Sequence, residues 1–196
     1  MELMRLPIID PEEMDERQRA IADRIAGRRG AVRGPFRVWL NSPELCDRVE
    51  SLGAFVRFDS SLPTRLSELA LLLAARAFDA QYSWNAHVDK AVDAGIPRAA
   101  VEAIARREAP AFDRDEDAAF HAFCAELLAD HFVSEATFRA AEAHFGAKGL
   151  VEAVGCLGNF AMLAMCLNAF EVDLQPDREP PFPDVRGFAR TGTREG

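Results

Sequence analysis

The chain has 196 residues, of which 49% are apolar, and a formal net charge of −9. An apolar fraction of this size can bury one substantial core, so the composition excludes a disordered chain and favours a single domain, residues 1–173. The acidic balance excludes a nucleic-acid binder, because affinity for phosphate backbones depends on clustered Lys and Arg. The N-terminal segment has no apolar core of a secretory signal, and we expect a cytoplasmic protein.

Helix signals recur along the chain, and no segment shows a convincing strand pattern. Asp10 and Ser42 are each followed by a proline and an acidic residue, which is typical of a helix start. Residues 28–40, rich in Gly and Arg, are expected to connect these two helices. Apolar spacing predicts further helices at about 64–79, 80–95, 97–107, 113–130, 134–145 and 149–172. Eight helices without a strand predict an all-α fold.

Two segments near the C-terminus need separate interpretation. Residues 151–170 carry one charged side chain, Glu152, and are nearly long enough to cross a membrane. Their glycines and asparagines, with acidic residues at both ends, favour a core helix, and we expect no membrane span. Residues 174–196 contain four prolines and no periodicity. They predict an irregular, extended tail that is either mobile or strapped over a neighbouring subunit through Phe182 and Phe188.

The segment from Glu68 to His87 carries the strongest functional signal. It places a carboxylate and an imidazole on two predicted helices that meet near Phe78. Each residue lies about ten positions from this junction, so an antiparallel hairpin brings both side chains to the same level. The carboxylate would fix one tautomer of the imidazole and raise its pKa, which suits proton transfer near neutral pH. The alternative is a buried pair that only fixes the helix register.

At this point the sequence resembles the carboxymuconolactone decarboxylase and AhpD-like superfamily. Its alkylhydroperoxidase branch carries a Glu, then Cys-x-x-Cys, and then a His after three further residues. Glu68 and His87 match this pattern, whereas Ala80 and Ser83 stand where the cysteines would be. The likeness extends from GPFRVWLNSPEL at 34–45, through LPTRLSELALL at 62–72, to CLNAFEVDL at 166–174. The chain reads YSWNAH where the decarboxylase-like branch reads YEWxxH, and Asn159 stands where that branch often has a tyrosine.

The resemblance implies an AhpD-like helical bundle that forms homo-oligomers, with trimers or hexamers favoured over dimers. It also implies a decarboxylase-like lyase that acts on a small carboxylated lactone, of the kind met in aromatic catabolism, or on an organic acid. No cofactor and no metal are expected. The predicted catalytic residues are Glu68, His87 and Ser83, and the predicted substrate-binding residues are Tyr82, Trp84, Asn85 and Asn159.

Two other classes of function stay open. The first is peroxide reduction, which is disfavoured because it needs one thiolate to attack and a second thiol to resolve the product. The four cysteines form no such pair, and we expect free, buried thiols at positions 46, 124, 156 and 166. The second is a non-catalytic ligand-binding or scaffold protein.

A cluster of arginines precedes the second predicted helix. It consists of Arg28, Arg29, Arg33 and Arg37 in an otherwise acidic chain. At the mouth of a pocket such a cluster would attract a carboxylate substrate. The alternatives are a solvated loop or salt bridges between subunits.

Overall fold

The computed structural model describes residues 4–175 and 177–183. This part of the chain is helical and has no strand, which confirms the predicted all-α class. Its helices are α1 (Glu16–Arg29), α2 (Pro35–Trp39), α3 (Pro43–Ala54), α4 (Thr64–Ala77), α5 (Gln81–Asp93), α6 (Arg98–Arg106), α7 (Asp115–Asp130) and α8 (Glu135–Ala169). A π-helix, Phe55–Asp59, directly continues α3.

Helix α1 begins later than the sequence predicted. Asp15 is its N-cap and accepts a hydrogen bond from the backbone N–H of Gln18 at 2.7 Å, while the Gln18 side chain accepts one from the Asp15 N–H at 3.0 Å. Asp10 accepts a hydrogen bond within the preceding turn instead. The buried side chains of α1 are Ile21, Ala22 and Ile25, which lie closer in sequence to Asp15 than to Asp10. The capping signal nearer to this apolar face therefore starts the helix.

The connector predicted at residues 28–40 contains α2, a five-residue helix that the sequence analysis missed. Gly34 precedes it with φ of 56°, in the left-handed region. A side-chain carbon on Gly34 would lie 2.8 Å from Cε1 of Tyr82, so only glycine leaves room for this ring. The short helix therefore begins where the connector touches α5.

The last two predicted helices form one long element, α8, with a kink at Gly146. This glycine has φ of 59° and ψ of −179°, which is not helical. The predicted break is therefore confirmed in position, and residues 135–145 and 147–169 of α8 are two helical segments that meet at this glycine. By length and composition α8 could cross a membrane, yet 56% of its most apolar stretch is buried inside the fold, as in the core helix of a soluble protein.

Helix α4 is the centre of the main core. Ten consecutive residues, 66–75, are buried, and the helix packs against α5, α7 and α8. A helix that is apolar on every side belongs in the middle of a bundle. A second apolar cluster joins α1, α2 and α3 to the end of α8, with Ile21, Trp39 and Leu167 among its members. The candidate site lies between these two clusters.

Candidate functional site

The hairpin of α4 and α5 brings Glu68 and His87 together, as the sequence predicted. Helix α4 is capped by Phe78, the predicted junction, and Asp79 takes a positive φ of 51° to reverse the chain. Nδ1 of His87 lies 2.6 Å from Oε2 of Glu68, within hydrogen-bond distance. Glu68 is only 3% exposed, and the side chain of His87 is 13% exposed. The two groups therefore form a largely buried pair.

Arg57, on the π-helix, binds the other oxygen of the same carboxylate. Its Nη2 donates to Oε1 of Glu68 at 3.1 Å. Burial by itself would raise the pKa of Glu68, but the hydrogen bond with His87 and the charges of His87 and Arg57 outweigh it and lower the pKa. Glu68 is therefore ionised at neutral pH.

The pKa of His87 shifts in the direction opposite to our expectation. Burial lowers it below the ordinary histidine value and outweighs the hydrogen bond and charge of Glu68, while the charges of Lys90 and Arg57 add to the lowering. The imidazole is therefore neutral near pH 7, with the Nδ1 proton donated to Glu68. Nε2 has no hydrogen-bond partner among residues 4–175 and 177–183, so it can accept a proton.

His87 lies in the wall of a cavity of about 500 Å³. Of the other predicted site residues, Ser83, Tyr82, Asn85 and Asn159 also line this cavity, and Glu68 lies behind His87. Trp84 is elsewhere: it is 3% exposed and packs edge-on against Phe182, with ring centroids 5.8 Å apart. Apolar walls come from α2, α3, α4 and α8, at Phe36, Val49, Leu71, Phe160, Leu163 and Leu167.

The cavity is strongly positive, and no acidic side chain lines its described wall. Its cationic lining residues are Arg29, Arg33, Arg57, Lys90 and Arg178. Arg57 is paired with Glu68, and Arg178 is 3.2 Å from Asp89. Arg29, Arg33 and Lys90 have no ion pair within the described residues. Such a concentration of positive charge favours an anionic ligand.

Burial and mutual repulsion act on two of these cations. Partial burial lowers the pKa of Arg29, and the nearby charge of Arg57 lowers it further. The pKa of Lys90 is lowered by the same two causes, with a smaller contribution from Arg29. Arg29 and Arg33 belong to the cluster noted in the sequence, whereas Arg28 and Arg37 are not among the lining residues.

Four buried polar atoms in the cavity wall have no hydrogen-bond partner in the described structure. They are Nε and Nη2 of Arg29 and Oδ1 and Nδ2 of Asn159. Asn159 is only 2% exposed. Leaving a buried donor or acceptor unpaired costs about 1–3 kcal/mol, so native proteins rarely keep such atoms without a reason. A ligand that binds these atoms would remove the cost.

The four cysteines are free and buried, as predicted, and none of them lines the cavity. Burial raises the pKa of Cys46 to about 11 and the pKa values of Cys156 and Cys166 to about 12. It raises the pKa of Cys124 as well. These thiols are therefore protonated at neutral pH and poor nucleophiles. Among the described residues, no three His, Cys, Asp or Glu side chains are grouped as metal ligands.

The C-terminal segment, residues 175–183 without 176, packs on α5 of the same chain. Nε2 of Gln81 donates to the Phe182 carbonyl at 2.7 Å, and Nδ2 of Asn85 donates to the Glu179 carbonyl at 2.9 Å. Phe182 is 7% exposed. Phe182 fills the gap beside Trp84 of its own core, so the expected strap over a neighbouring subunit through Phe182 is wrong. Phe188 lies outside the described residues.

Among the polar lining residues, sequence reasoning missed four: Arg57, Lys90, Gln175 and Arg178. Lys90 follows Ser83 and His87 on one face of α5, so helical spacing could have found it. The other three reach the cavity only through the packing of distant segments. No local pattern marks them.

The fold is AhpD-like. The chain is similar to a protein from Ralstonia eutropha JMP134, described as an alkylhydroperoxidase AhpD core and an uncharacterized peroxidase-related protein, with a TM-score of 0.74 and 16% identity over 90% of this chain and 95% of that one. A peroxidase-related protein from Silicibacter sp. TM1040 gives 0.72 and 15% identity over 90% and 93%. A variant of the debrominase Bmp8 in complex with 2,3,4-tribromopyrrole gives 0.69 and 13% identity over 88% and 94%.

These three structures share the fold with our chain, and at such low identity the likeness shows the fold alone. No protein-family model matches the sequence, and no curated protein matches it either. The function must therefore be argued from the site.

Proposed function

We propose that this protein is an enzyme that performs acid–base chemistry on a small carboxylated lactone or organic acid. One observation carries the proposal: a neutral His87, oriented by Glu68 and with Nε2 unpartnered in the described structure, lines a cavity that also contains cations. In this scheme Nε2 takes a proton from the substrate, and Glu68 stabilises the resulting imidazolium. The surrounding positive charge attracts the substrate anion and stabilises negative charge that develops on it.

Decarboxylation of a lactone acid is the specific reaction we favour. The bond to the leaving carboxylate breaks, and its electron pair moves toward the lactone carbonyl as carbon dioxide departs. His87 becomes protonated when Nε2 takes the proton of the substrate's carboxyl group, and it then gives this proton to the carbanion carbon and returns to its neutral state. Because burial favours the neutral imidazole, protonated His87 is a stronger acid than an ordinary histidine and gives up this proton readily.

The test compares His87→Gln with the native chain on a panel of carboxylated lactones and organic acids. Turnover in deuterated water should place deuterium on carbon in the product, which NMR detects directly. We expect His87→Gln to lose roughly 10²-fold or more in rate, because the base is removed. His144→Gln, an exposed histidine on α8, is the matched control and should keep the native rate. Equal rates for His87→Gln and the native chain would contradict the proposal.

Peroxide reduction is the second candidate, because two of the similar structures are described as peroxidase-related. Two observations oppose it here. Ala80 and Ser83 stand at the cysteine positions, and the buried thiols lie outside the cavity wall with raised pKa values. Consumption of an organic hydroperoxide with a dithiol as reductant would distinguish the candidates, and we expect none above background.

A scaffold without catalysis is the third candidate. In a scaffold, His87→Gln would leave both assembly and ligand affinity unchanged, and no substrate in the panel would turn over. Deuterium incorporation by the native chain excludes it.

We also propose that copies of the chain associate through one face of α8. Val151, Val154 and Met165 are 73%, 47% and 49% exposed on this helix, and their spacing places them on the same side. Sedimentation velocity should find a trimer or hexamer, and Val154→Asp should lower the mass. A monomeric native chain would contradict this.

A further inference from the structure

The part of the cavity wall contributed by α1 and α8 contains polar groups that the acid–base scheme does not use. We propose that Arg29 and Asn159 form a subsite that binds a carboxylate group of the ligand. The inference rests on the proposed function for the ligand's role as a substrate. However, the inference also predicts that a variant without turnover still binds a carboxylate ligand.

The unpartnered atoms of Arg29 fit this role. Nε and Nη2 form one edge of the planar guanidinium, and both are buried without a protein acceptor in the described structure. That edge donates two parallel hydrogen bonds, which match the two oxygens of a carboxylate. A single acceptor such as a carbonyl would satisfy only one of them.

Aromatic packing holds the guanidinium in place and leaves this edge unpaired. Cζ of Arg29 lies 4.9 Å from the ring centroid of Phe36 and 5.9 Å from that of Phe58. Such contacts fix the position of the cation through the ring faces and use none of its N–H donors. The donor edge is therefore oriented before a ligand arrives.

Asn159 approaches the same space from α8, and Gly53 of α3 leaves it open. A side-chain carbon on Gly53 would lie 3.4 Å from Nη2 of Arg29, 3.7 Å from Oδ1 of Asn159 and 3.8 Å from its Nδ2. The two side chains thus converge on one point, yet no hydrogen bond joins them. A carboxylate in the cavity beside Gly53 that reaches both side chains would accept from Arg29 and from the amide of Asn159.

No protein carboxylate takes the place of a ligand at Arg29. The carboxylate whose charge acts on Arg29 is Glu50, whose Oε2 is paired with Nε of Arg24 at 3.3 Å and whose Oε1 makes no hydrogen bond to Arg29 in the described structure. Phe36 lies beside Arg29, and Val49 and Leu71 are further apolar side chains in the lining of the same cavity. The ligand class is therefore a small carboxylate with a compact apolar body, and a bare inorganic anion satisfies only the charge.

The test is a titration calorimetry series with benzoate as the probe. Benzamide is the uncharged control, and inorganic phosphate is the control for charge alone. We expect the native chain to bind benzoate at least tenfold more tightly than either control. Equal binding of benzoate and benzamide, or no binding of benzoate, would overturn the subsite.

Gly53→Ala is the sharpest variant, because it places a methyl group between the two side chains at ordinary contact distances. Alanine also favours the helix, so the variant should fold. We expect it to lose tenfold or more in benzoate affinity. The matched control is Gly158→Ala, a helical glycine with no atom within 4 Å of the added carbon, which should bind as the native chain does.

Two further variants separate this inference from the proposed function. Arg29→Gln removes the donor edge and should lower benzoate affinity tenfold or more, whereas His87→Gln should bind benzoate like the native chain. Native affinity in both Gly53→Ala and Arg29→Gln overturns the subsite even if His87 proves essential for turnover. Full turnover by His87→Gln, with benzoate binding lost only in the subsite variants, overturns the acid–base function and keeps the subsite.

Discussion

The two polar walls of the cavity differ in how their buried groups are satisfied. On the α4–α5 wall, Glu68 is bound through one oxygen by His87 and through the other by Arg57. On the wall formed by α1 and α8, Arg29 and Asn159 leave four buried polar atoms without a partner in the described structure. The buried carboxylate of the first wall is satisfied within the protein, whereas the buried polar atoms of the second wall are not. In our proposals, the first wall moves a proton and the second holds the substrate.

The largest expected effect on the free energy of unfolding comes from removing the carboxylate of Glu68 from the α4–α5 wall. Glu68→Leu leaves His87 and Arg57 without their buried acceptor, and removing one member of a buried ion pair costs about 3 kcal/mol or more. We expect this loss in the free energy of unfolding, measured by urea denaturation at pH 7. Glu102→Ala, an exposed residue on α6, should change it by about 0.5 kcal/mol or less. A loss for Glu68→Leu as small as that control would show that solvent replaces the carboxylate easily.

Acidification should also lower the stability that the α4–α5 wall contributes, but by less than the loss of Glu68 does. Burial lowers the pKa of folded His87, so the unfolded chain binds a proton that the folded chain resists. Stability is therefore present above the ordinary histidine pKa and falls as the pH drops below it, by at most about 1.4 kcal/mol per pH unit for one group. The folded pKa of Glu68 is also lowered, so its contribution is lost at still lower pH.

Urea denaturation at pH 7 and at a pH below the ordinary histidine value measures this dependence. His87→Gln should have a smaller loss of stability over that interval, because the titrating group is gone. An equal slope in His87→Gln and the native chain would contradict the lowered pKa.

The contrast between the walls also marks what the sequence could predict. Glu68 and His87 lie at equal distances from Phe78 on one hairpin, so helical rise and a short turn were enough to place them together. Arg29 and Asn159 are far apart in sequence and meet only because α1 and α8 both pack beside α3. The apolar periodicity within one helix therefore cannot predict that these two side chains lie close together.

The direction of the His87 pKa shift could not be predicted from the sequence either. The neighbouring carboxylate was visible, and it favours a raised pKa. The burial that outweighs it comes from the tertiary packing of α4, α5 and the π-helix, together with the charges of Arg57 and Lys90. Helix α2 was missed for a simpler reason, since five residues are too few for an apolar period to emerge.

The smallest expected effect concerns the wall formed by α1 and α8. There a substitution should leave the free energy of unfolding unchanged or raise it, instead of lowering it. Asn159→Leu removes an amide that has no protein partner in the described structure, and the adjoining cavity leaves room for the larger side chain. We expect the free energy of unfolding to stay unchanged or rise by about 1 kcal/mol, because a buried unpaired group is replaced by an apolar one. Urea denaturation of the ligand-free protein measures it.

Asn85→Leu is the matched control for this substitution, because Asn85 is also buried and lines the same cavity but donates to the Glu179 carbonyl at 2.9 Å. Its loss should lower stability by about 1 kcal/mol, since a formed hydrogen bond disappears. The two asparagines therefore predict opposite signs for the same chemical change. A clear destabilisation by Asn159→Leu, equal to that of Asn85→Leu, would show that Asn159 is satisfied in the ligand-free protein and that the two walls do not differ.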